Sequence, residues 1–258
     1  MTAGTIFQDT RTPLPLWFRA MWVVASQKTG TSARTLQRVL GLGSYQTAWA
    51  WLHKLRRAMV RPGRERLAGR VEVDETFVGA LEDGVRGRGA VKKTLIVVAA
   101  EHKHRAIGRI RLRRVPDASA DRLQAFIDEV VEPGSVVHTD GWVGYDRLKA
   151  HGYRHRITIV SDHADAAHEL LPHVHLVVSL LKRWLLGTHQ GAVSPAHLDY
   201  YLDEFTFRFN RRRSRHPGKL FYRLVEQAVA IEPAPYRQLV KGVRRGPAPR
   251  RRRLRDHN

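Results

Sequence analysis

The chain has 258 residues, of which 43% are hydrophobic and 27% are charged, proportions typical of a globular protein with a sizeable core. The 45 Lys and Arg residues against 24 Asp and Glu give a net charge of +21, which favours a polyanionic partner such as nucleic acid, although ribosomal proteins and binders of anionic membranes share this profile. The absence of cysteine excludes disulfides, thiolate nucleophiles and cysteine-ligated zinc, and no run of about 18 apolar residues predicts a membrane span.

Residues 12–60 are predicted to be helical, with an apolar first helix followed by two helices at helix-turn-helix spacing. Ser32 is expected to cap the first of this pair, a glycine-containing break at 41–43 ends it, and Ser44 caps the second. The second helix of such a motif enters the major groove of DNA. The residues on its face away from the apolar stripe are Gln46, Thr47, Ala50, Lys54 and Arg57. We expect the four polar ones to contact DNA, and an ordinary helical hairpin with a solvated polar face is the alternative.

Residues 61–70 are polar and basic and contain Gly and Pro, which is typical of a linker. Three strands are predicted next from alternating or continuous apolar patterns over 70–80, 92–102 and 105–115. The segment 82–93 between the first two is a basic, Gly-rich loop that could contact phosphates.

Further elements are predicted in the order helix, strand, helix, strand and two long helices, at 119–131, 135–140, after 141, 154–160, about 172–186 and 195–212. The order β-β-β-α-β-α-β-α is that of a ribonuclease-H-like α/β domain. We therefore predict a helical DNA-binding module at 1–62, a catalytic domain at 70–225 and a basic C-terminal tail at 226–258, of which 243–258 are expected to be disordered.

Asp74 is the first candidate for chemistry, since two-metal phosphoryl transfer needs carboxylates that converge from different segments. It lies in the middle of an otherwise apolar strand, where a carboxylate is costly to bury unless it is paired or binds a metal. Strand alternation puts Asp74 on the same face as Glu72 and Thr76, so a solvent-facing acid and an acid paired with arginine remain alternatives.

Asp140 is the second candidate because it ends the predicted strand 135–140. Ligands collect at the carboxyl ends of strands in open α/β sheets. An aspartate before a helix is also a common N-cap, and the two roles can coexist.

The helix over 172–186 carries His175 and Lys182 on one face. His175 could bind a metal or contact the scissile phosphate, and Lys182 could bind the DNA backbone; a structural histidine and a solvated lysine are the alternatives. Arg211 and Arg212 are further candidates for phosphate contacts. The aromatic residues Trp142, Tyr145 and Trp184 could lie in the core or stack on bases, and for the two tryptophans we favour the core.

Four motifs together resemble the IS1595 family, the bacterial insertion-sequence transposases with an ISXO2-like domain. They read VEVDETFVGA, HTDGWVGY, HVHLVVSLLKRWLLGTHQG and HLDYYLDEFTFRFNRR, and the resemblance runs from Phe7 to Leu224. It implies a DDE-type ribonuclease-H-like domain that uses Mg²⁺ or Mn²⁺ to hydrolyse DNA ends and to transfer the freed 3′ hydroxyl into target DNA.

By motif, the catalytic residues implied are Asp74, Asp140, His175 and Lys182, and the first three are the implied metal ligands. The separation 175 − 140 = 35 residues also resembles that of DDE enzymes. Because neutral imidazole adds no negative charge, the second cation is expected to bind more weakly. The acids held in reserve for the third position are Glu75, Glu169 and Glu204.

The resemblance also implies double-stranded DNA partners, namely terminal inverted repeats and target DNA, and a homodimer or higher oligomer on DNA in the bacterial cytoplasm at the nucleoid. The family's usual cysteine-containing zinc ribbon is missing, so either it is absent or the chain is truncated. Two rivals remain: a catalytically inactive, transposase-derived DNA-binding protein, and a ribonuclease-H-like nuclease or resolvase that cuts without joining.

Overall fold

A computed structural model describes residues 2–61, 63–79, 93–104, 106–158, 171–191 and 193–241. Three helices come first, namely α1 (Leu14–Ser26), α2 (Ala33–Leu40) and α3 (Tyr45–Ala58). The predicted loop at 82–93, except for its last residue, and the reserve acid at 169 lie outside the described residues.

Both predicted helix caps between α1 and α3 are confirmed. The hydroxyl oxygen of Ser32 accepts a hydrogen bond from the backbone N–H of Thr35 at 3.1 Å, and that of Ser44 accepts one from Thr47 at 3.5 Å. Gly41 ends α2 in the left-handed conformation with φ of 65°, which glycine adopts without steric cost. Local side-chain chemistry thus defines the pair of helices that the sequence predicted.

A five-stranded sheet forms the centre of the catalytic domain, with strands β1 (Arg70–Gly79), β2 (Lys93–Lys103), β3 (Ala106–Arg114), β4 (Val136–Thr139) and β5 (Arg154–Ile157). Their spatial order is β3-β2-β1-β4-β5. The first three pair antiparallel, whereas β4 runs parallel to both β1 and β5. This topology confirms the predicted ribonuclease-H-like α/β class.

The remaining helices are α4 (Ala120–Val130), α5 (Pro172–His189), α6 (Leu198–Asn210), α7 (Pro217–Ala230) and α8 (Tyr236–Val240), with short 3-10 helices at Val143–Lys149 and Pro195–His197. The helical stretch expected after residue 141 is therefore a 3-10 helix. Helix α5 continues three residues beyond its predicted end, to an αL residue at Gln190.

Two hydrophobic cores flank the sheet. On one face, Val71 and Val73 of β1 pack with side chains of α4, including Phe126. On the other face, β2 and β3 pack against α5 and α6, with Val177 and Phe205 among the buried residues. The sheet is thus covered by helices on both sides, and Glu72 and Asp74 point toward α5.

A third core lies among α1, α2 and α3, and α7 completes it. Leu224 and Ala228 of α7 are fully buried there. The core of the N-terminal helices therefore includes residues from beyond the predicted module at 1–62. Residues 226–230, at the start of the predicted basic tail, belong to α7.

Candidate active site

The two aspartates stand on neighbouring parallel strands. Glu72 of β1 lies opposite His138 of β4, so the same register two residues further along brings Asp74 beside Asp140. Asp140 directly follows the last residue of β4, at the carboxyl end of that strand. The arrangement brings two carboxylates from distant segments together, as the sequence predicted.

Each aspartate keeps one oxygen in a local backbone hydrogen bond. The N–H of Glu75 donates to Oδ1 of Asp74 at 2.8 Å, and the N–H of Trp142 donates to Oδ1 of Asp140 at 3.0 Å. The alternative role of Asp140 as a helix N-cap is wrong, because Trp142 is the N-cap of the 3-10 helix that follows and no side chain caps it. The bond from Trp142 to Asp140 is a turn contact that engages one oxygen, so a ligand role for the other oxygen is compatible with it.

His175 is brought to this pair by α5. Its Nε2 lies 3.3 Å from Oδ2 of Asp74, with the two side chains 33% and 19% exposed. The hydrogen bond with Asp74 raises the pKa of His175; burial opposes this rise, and the charges of Asp74, Glu72 and Asp140 add to it. The imidazole thus sits in the field of all three carboxylates.

Tyr145 is a buried residue that ties the two strands together. Its hydroxyl donates a 2.5 Å hydrogen bond to Oε1 of Glu75. Burial raises the pKa of this hydroxyl, and the negative charges of Glu75, Asp74 and Asp140 raise it further. Tyr145, for which core and base stacking were both open, is therefore a core residue, and Glu75 points to the sheet face opposite Asp74.

Lys182 lies two helical turns beyond His175 on α5 and is exposed. Partial burial lowers its pKa, Lys93 lowers it further, and Asp74 opposes both effects. Lys182 is thus close enough to Lys93 and to Asp74 for the charge of each to affect its pKa. Lys93, at the start of β2, is a basic neighbour that the sequence did not single out by itself.

A second group of titratable side chains lies one row along the same sheet face. Glu72 is 1% exposed and accepts hydrogen bonds from the backbone N–H groups of His173 and Val174 at 2.8 and 3.1 Å. These bonds occupy orphan N–H groups in the first turn of α5 and fix its start. Strand alternation had put Glu72 beside Asp74, but nothing in the sequence identified its helix partner.

Burial lowers the pKa of His173; the charge of Glu72 opposes this, and His102 and Arg70 lower it further. His173 and His102 lie with ring centroids 4.4 Å apart in an edge-to-face arrangement. The neutral imidazole is favoured at His173.

Glu204 does not take part in the site. It is 1% exposed and forms ion pairs with Arg56 at 2.8 Å and with Arg208 at 2.7 Å. Burial alone would raise its pKa, but the charges of Arg208 and Arg56 lower it to about 2. Glu204 is therefore wrong as a reserve metal ligand, because both of its oxygens are engaged by arginine.

The expected DNA-contacting face of α3 is only partly exposed. Gln46 is exposed and Thr47 is half-buried, both in the first turn. Ala50 and Arg57 are 8% and 9% exposed, and the ammonium of Lys54 donates to the carbonyl of Ile6 at 3.2 Å. The prediction of an open polar face is wrong beyond the first turn, because α3 packs against α6, α7 and α8 as well as α2.

The two arginines after α6 also make internal contacts. Arg211 donates to the carbonyl of Phe207 at 3.3 Å and stacks on its ring. Arg212 donates to the carbonyls of Phe209, Gly108 and Ile107. Arg212 nevertheless remains exposed and Arg211 half-buried, so phosphate contact stays a prediction for both.

The two tryptophans singled out in the sequence have structural contacts. The indole N–H of Trp142 donates to the carbonyl of Ala118 at 3.0 Å, and that of Trp184 donates to Thr29 at 2.9 Å. Each also packs against a hydrophobic core, which agrees with the favoured assignment.

Three of the solved structures that match this chain are an integrase core domain, an intasome and a transpososome. The catalytic core domain of BIV integrase is 16% identical at a TM-score of 0.38, covering 60% of this chain and 94% of that chain. The simian T-cell lymphotropic virus intasome in complex with a PP2A regulatory subunit is 12% identical at a TM-score of 0.38, covering 72% of this chain and 70% of that chain. The pre-cleavage Mos1 transpososome is 13% identical at a TM-score of 0.32, covering 86% of this chain and 81% of that chain.

The comparison with curated proteins finds no match to this chain. Of the helices in the described ranges, none combines the length and hydropathy needed to cross a bilayer. A family model described as "ISXO2-like transposase domain" matches residues 66–210, more than half of the chain. The matched range contains the whole sheet and, with it, Asp74, Asp140, His175 and Lys182.

Proposed function

Because the chain belongs to the family of the ISXO2-like transposase domain, we propose that it is an insertion-sequence transposase that cleaves element ends and joins them to target DNA. The observation that carries this proposal is the convergence of Asp74, Asp140 and His175 at the junction of β1, β4 and α5. A chain that had kept only DNA binding would not need two carboxylates and an imidazole at one point.

The donor set suits hard divalent cations. Asp74 and Asp140 offer carboxylate oxygens, which Mg²⁺ and Mn²⁺ prefer. His175 would complete the set as a neutral imidazole. When bound, such cations activate the attacking oxygen and stabilise the leaving oxygen.

The reaction proposed is two successive in-line displacements at phosphorus. In the first, a water oxygen bonds to the phosphorus at the element end, the P–O3′ bond breaks, and a proton from the water passes through solvent to the leaving 3′ oxygen. In the second, the oxygen of the freed 3′ hydroxyl bonds to a target phosphorus, the target P–O3′ bond breaks, and the proton of that hydroxyl passes through solvent to the released target 3′ oxygen. No covalent intermediate with the protein is involved.

In this proposal, a proton on His175 would have to be released before the imidazole could bind a cation. Its pKa is raised by Asp74, so its protonated form pairs with the carboxylate that would bind the cation. Loss of this proton frees both Asp74 and the imidazole as ligands. Lys182, with Lys93 nearby, would contact the DNA backbone beside the reacting phosphate.

Recognition of terminal-repeat DNA would use the first turn of α3, where Gln46 and Thr47 remain accessible. The first residues of a recognition helix are those that usually contact base edges. The net charge of +21 supplies salt-dependent affinity for phosphates. A homodimer or higher oligomer on DNA would bring two element ends together.

A strand-transfer assay with terminal-repeat DNA and Mg²⁺ tests the proposal. Asp74→Asn and Asp140→Asn should each lower cleavage by about 100-fold or more, since direct metal ligands supply several kcal/mol of transition-state stabilisation. His175→Ala should lower cleavage while DNA binding changes little. Asp121→Asn is the matched control, because Asp121 is an exposed acid paired only with Arg147.

Cleavage that survives both aspartate substitutions would overturn the proposed site. Specific DNA binding by the wild-type protein without metal-dependent cleavage would favour the catalytically inactive alternative. Cleavage without joining would favour a nuclease or resolvase.

A further inference from the structure

A cluster of the buried Glu72 and the half-buried His102 and His173 lies on the sheet face covered by α5. One ligand atom from each side chain falls within 4.8 Å of the others. The cluster is separate from the aspartate pair, since Glu72 precedes Asp74 by two residues along β1 and so occupies the adjacent row of side chains. Three different elements, β1, β2 and α5, therefore meet at these three side chains.

One ring nitrogen in this cluster is not satisfied by the protein. Nδ1 of His102 is buried and has no hydrogen-bond partner among the described residues, whereas the buried Nδ1 of His173 faces Oε1 of Glu72. A buried polar atom without a partner costs about 1–3 kcal/mol. Such an atom next to a carboxylate and a second imidazole calls for a ligand that accepts lone pairs, which a divalent cation does.

Glu72 is already oriented as a monodentate ligand. Its Oε2 is occupied by the two backbone N–H groups of α5, which leaves Oε1 directed toward His173. Oε1 lies 3.2 Å from Nδ1 of His173. Two donors that each sit about 2.0–2.1 Å from a tetrahedral Zn²⁺ are roughly 3.4 Å apart, so the observed separation fits a shared ion.

We propose that Glu72, His102 and His173 bind one Zn²⁺ ion in a structural site that joins β1, β2 and the first turn of α5. Two imidazoles favour zinc over Mg²⁺, whose preferred ligands are oxygens. One carboxylate and two neutral imidazoles leave a net charge of +1 on the complex, and a fourth ligand position remains for water. The Glu72 backbone contacts act as the supporting hydrogen bonds that orient metal ligands.

An entry route for the ion is present. His173 lines an open cavity of about 1070 Å³ between the segment that joins α1 to α2 and the helices α5 and α6. Of the three proposed ligands, His173 therefore borders a solvent-accessible space. Since no step of the proposed DNA chemistry depends on this ion, the zinc site stands or falls independently of the transposase function.

Metal titration of the full chain tests the proposal. After treatment with EDTA, the wild-type protein should bind one Zn²⁺ per chain, and Co²⁺ should give the visible absorption of a tetrahedral complex that Zn²⁺ abolishes and millimolar Mg²⁺ does not. His102→Ala and His173→Ala should weaken this binding by about 100-fold or more. Asp74→Asn and His175→Ala are the matched controls and should retain it.

Thermal denaturation of the wild type gives a measurement that does not depend on the variants' folding. Free Zn²⁺ at 100 times the Kd should raise the Tm by about 5–10 °C, whereas Mg²⁺ should not. Failure of the wild type to bind zinc in a 1:1 ratio would overturn the site. Binding that persists in both histidine variants but is lost in Asp74→Asn would also overturn it, because the ion would then belong to the aspartate pair.

Discussion

Glu204→Gln is expected to destabilise the protein by about 3–5 kcal/mol, because it breaks a buried ion network. The side chains of Glu204 and Arg56 are 1% and 2% exposed, and that of Arg208 is 12% exposed. The substitution would leave two guanidinium groups buried without a counter-charge. A pKa lowered from 4.5 to about 2 corresponds to about 3 kcal/mol at neutral pH, which agrees with that range.

The pH dependence of this loss has a definite sign. Since the folded-state pKa of Glu204 lies below the unfolded value, its contribution is complete above pH 4.5 and is lost as the pH falls from 4.5 toward 2. Urea unfolding followed by circular dichroism at pH 7, 5 and 3.5 should show the gap between wild type and variant narrowing in acid.

Glu226→Gln is the matched control for this prediction. Glu226 lies 3.9 Å from Arg223 in an exposed pair, and its loss should cost less than about 1 kcal/mol. If Glu204→Gln lies within 1 kcal/mol of wild type at pH 7, or if the gap is the same at pH 3.5, the ion network does not contribute as argued.

His53 and Gly30 give two further tests. His53 is fully buried, and burial, followed by the charge of Arg56, lowers its pKa from 6.5 to about 2. Since His53 takes up a proton at higher pH in the unfolded chain than in the folded one, the stability of the protein should fall as the pH drops below 6.5. His53→Leu should flatten that fall, as measured by thermal denaturation. An unchanged acid slope would contradict this reasoning. Gly30→Ala should lower the free energy of unfolding by about 1–3 kcal/mol, because φ is +88° and a Cβ would lie 3.0 Å from Trp184 Nε1. Gly41→Ala is the control, with φ of +65° and open space around it, and should cost about 1 kcal/mol. Equal losses of Tm in the two variants would argue against the contact with Trp184.

From local patterns alone, Asp74, Asp140 and His175 were candidates with alternatives open, and the family motifs joined them into one set. In the structure Asp74 lies in β1 and Asp140 directly follows the parallel strand β4, and parallel neighbours carry their carboxyl ends to one side of a sheet. His175 lies 3.3 Å from Asp74. The ligand roles of these three residues remain predictions that the aspartate and histidine substitutions test.

The buried face of α3 could not be predicted from its own sequence. An amphipathic pattern identifies the most apolar face of a helix but not the number of elements that pack around it. Helix α3 packs against α2 and also against α6, α7 and α8, so Arg57 is buried. The partner of Arg56 is Glu204, 148 residues later in the chain, a separation at which no helical or strand periodicity applies.

A histidine at the proposed third position, His175, makes the site less negative than a third acid would. The contact of Glu72 with the first turn of α5 helps to place this histidine. Asp74 and Asp140 already repel each other, so a third acid would add to the cost of bringing them together before any cation binds. Protonated His175 reduces that cost by pairing with Asp74, which is why its pKa is raised. Because Glu72 holds the first turn of α5, both the acid and its histidine partner are positioned by strand β1. In the proposed site, assembly is thus favoured when His175 carries a proton, and cation binding would then displace that proton.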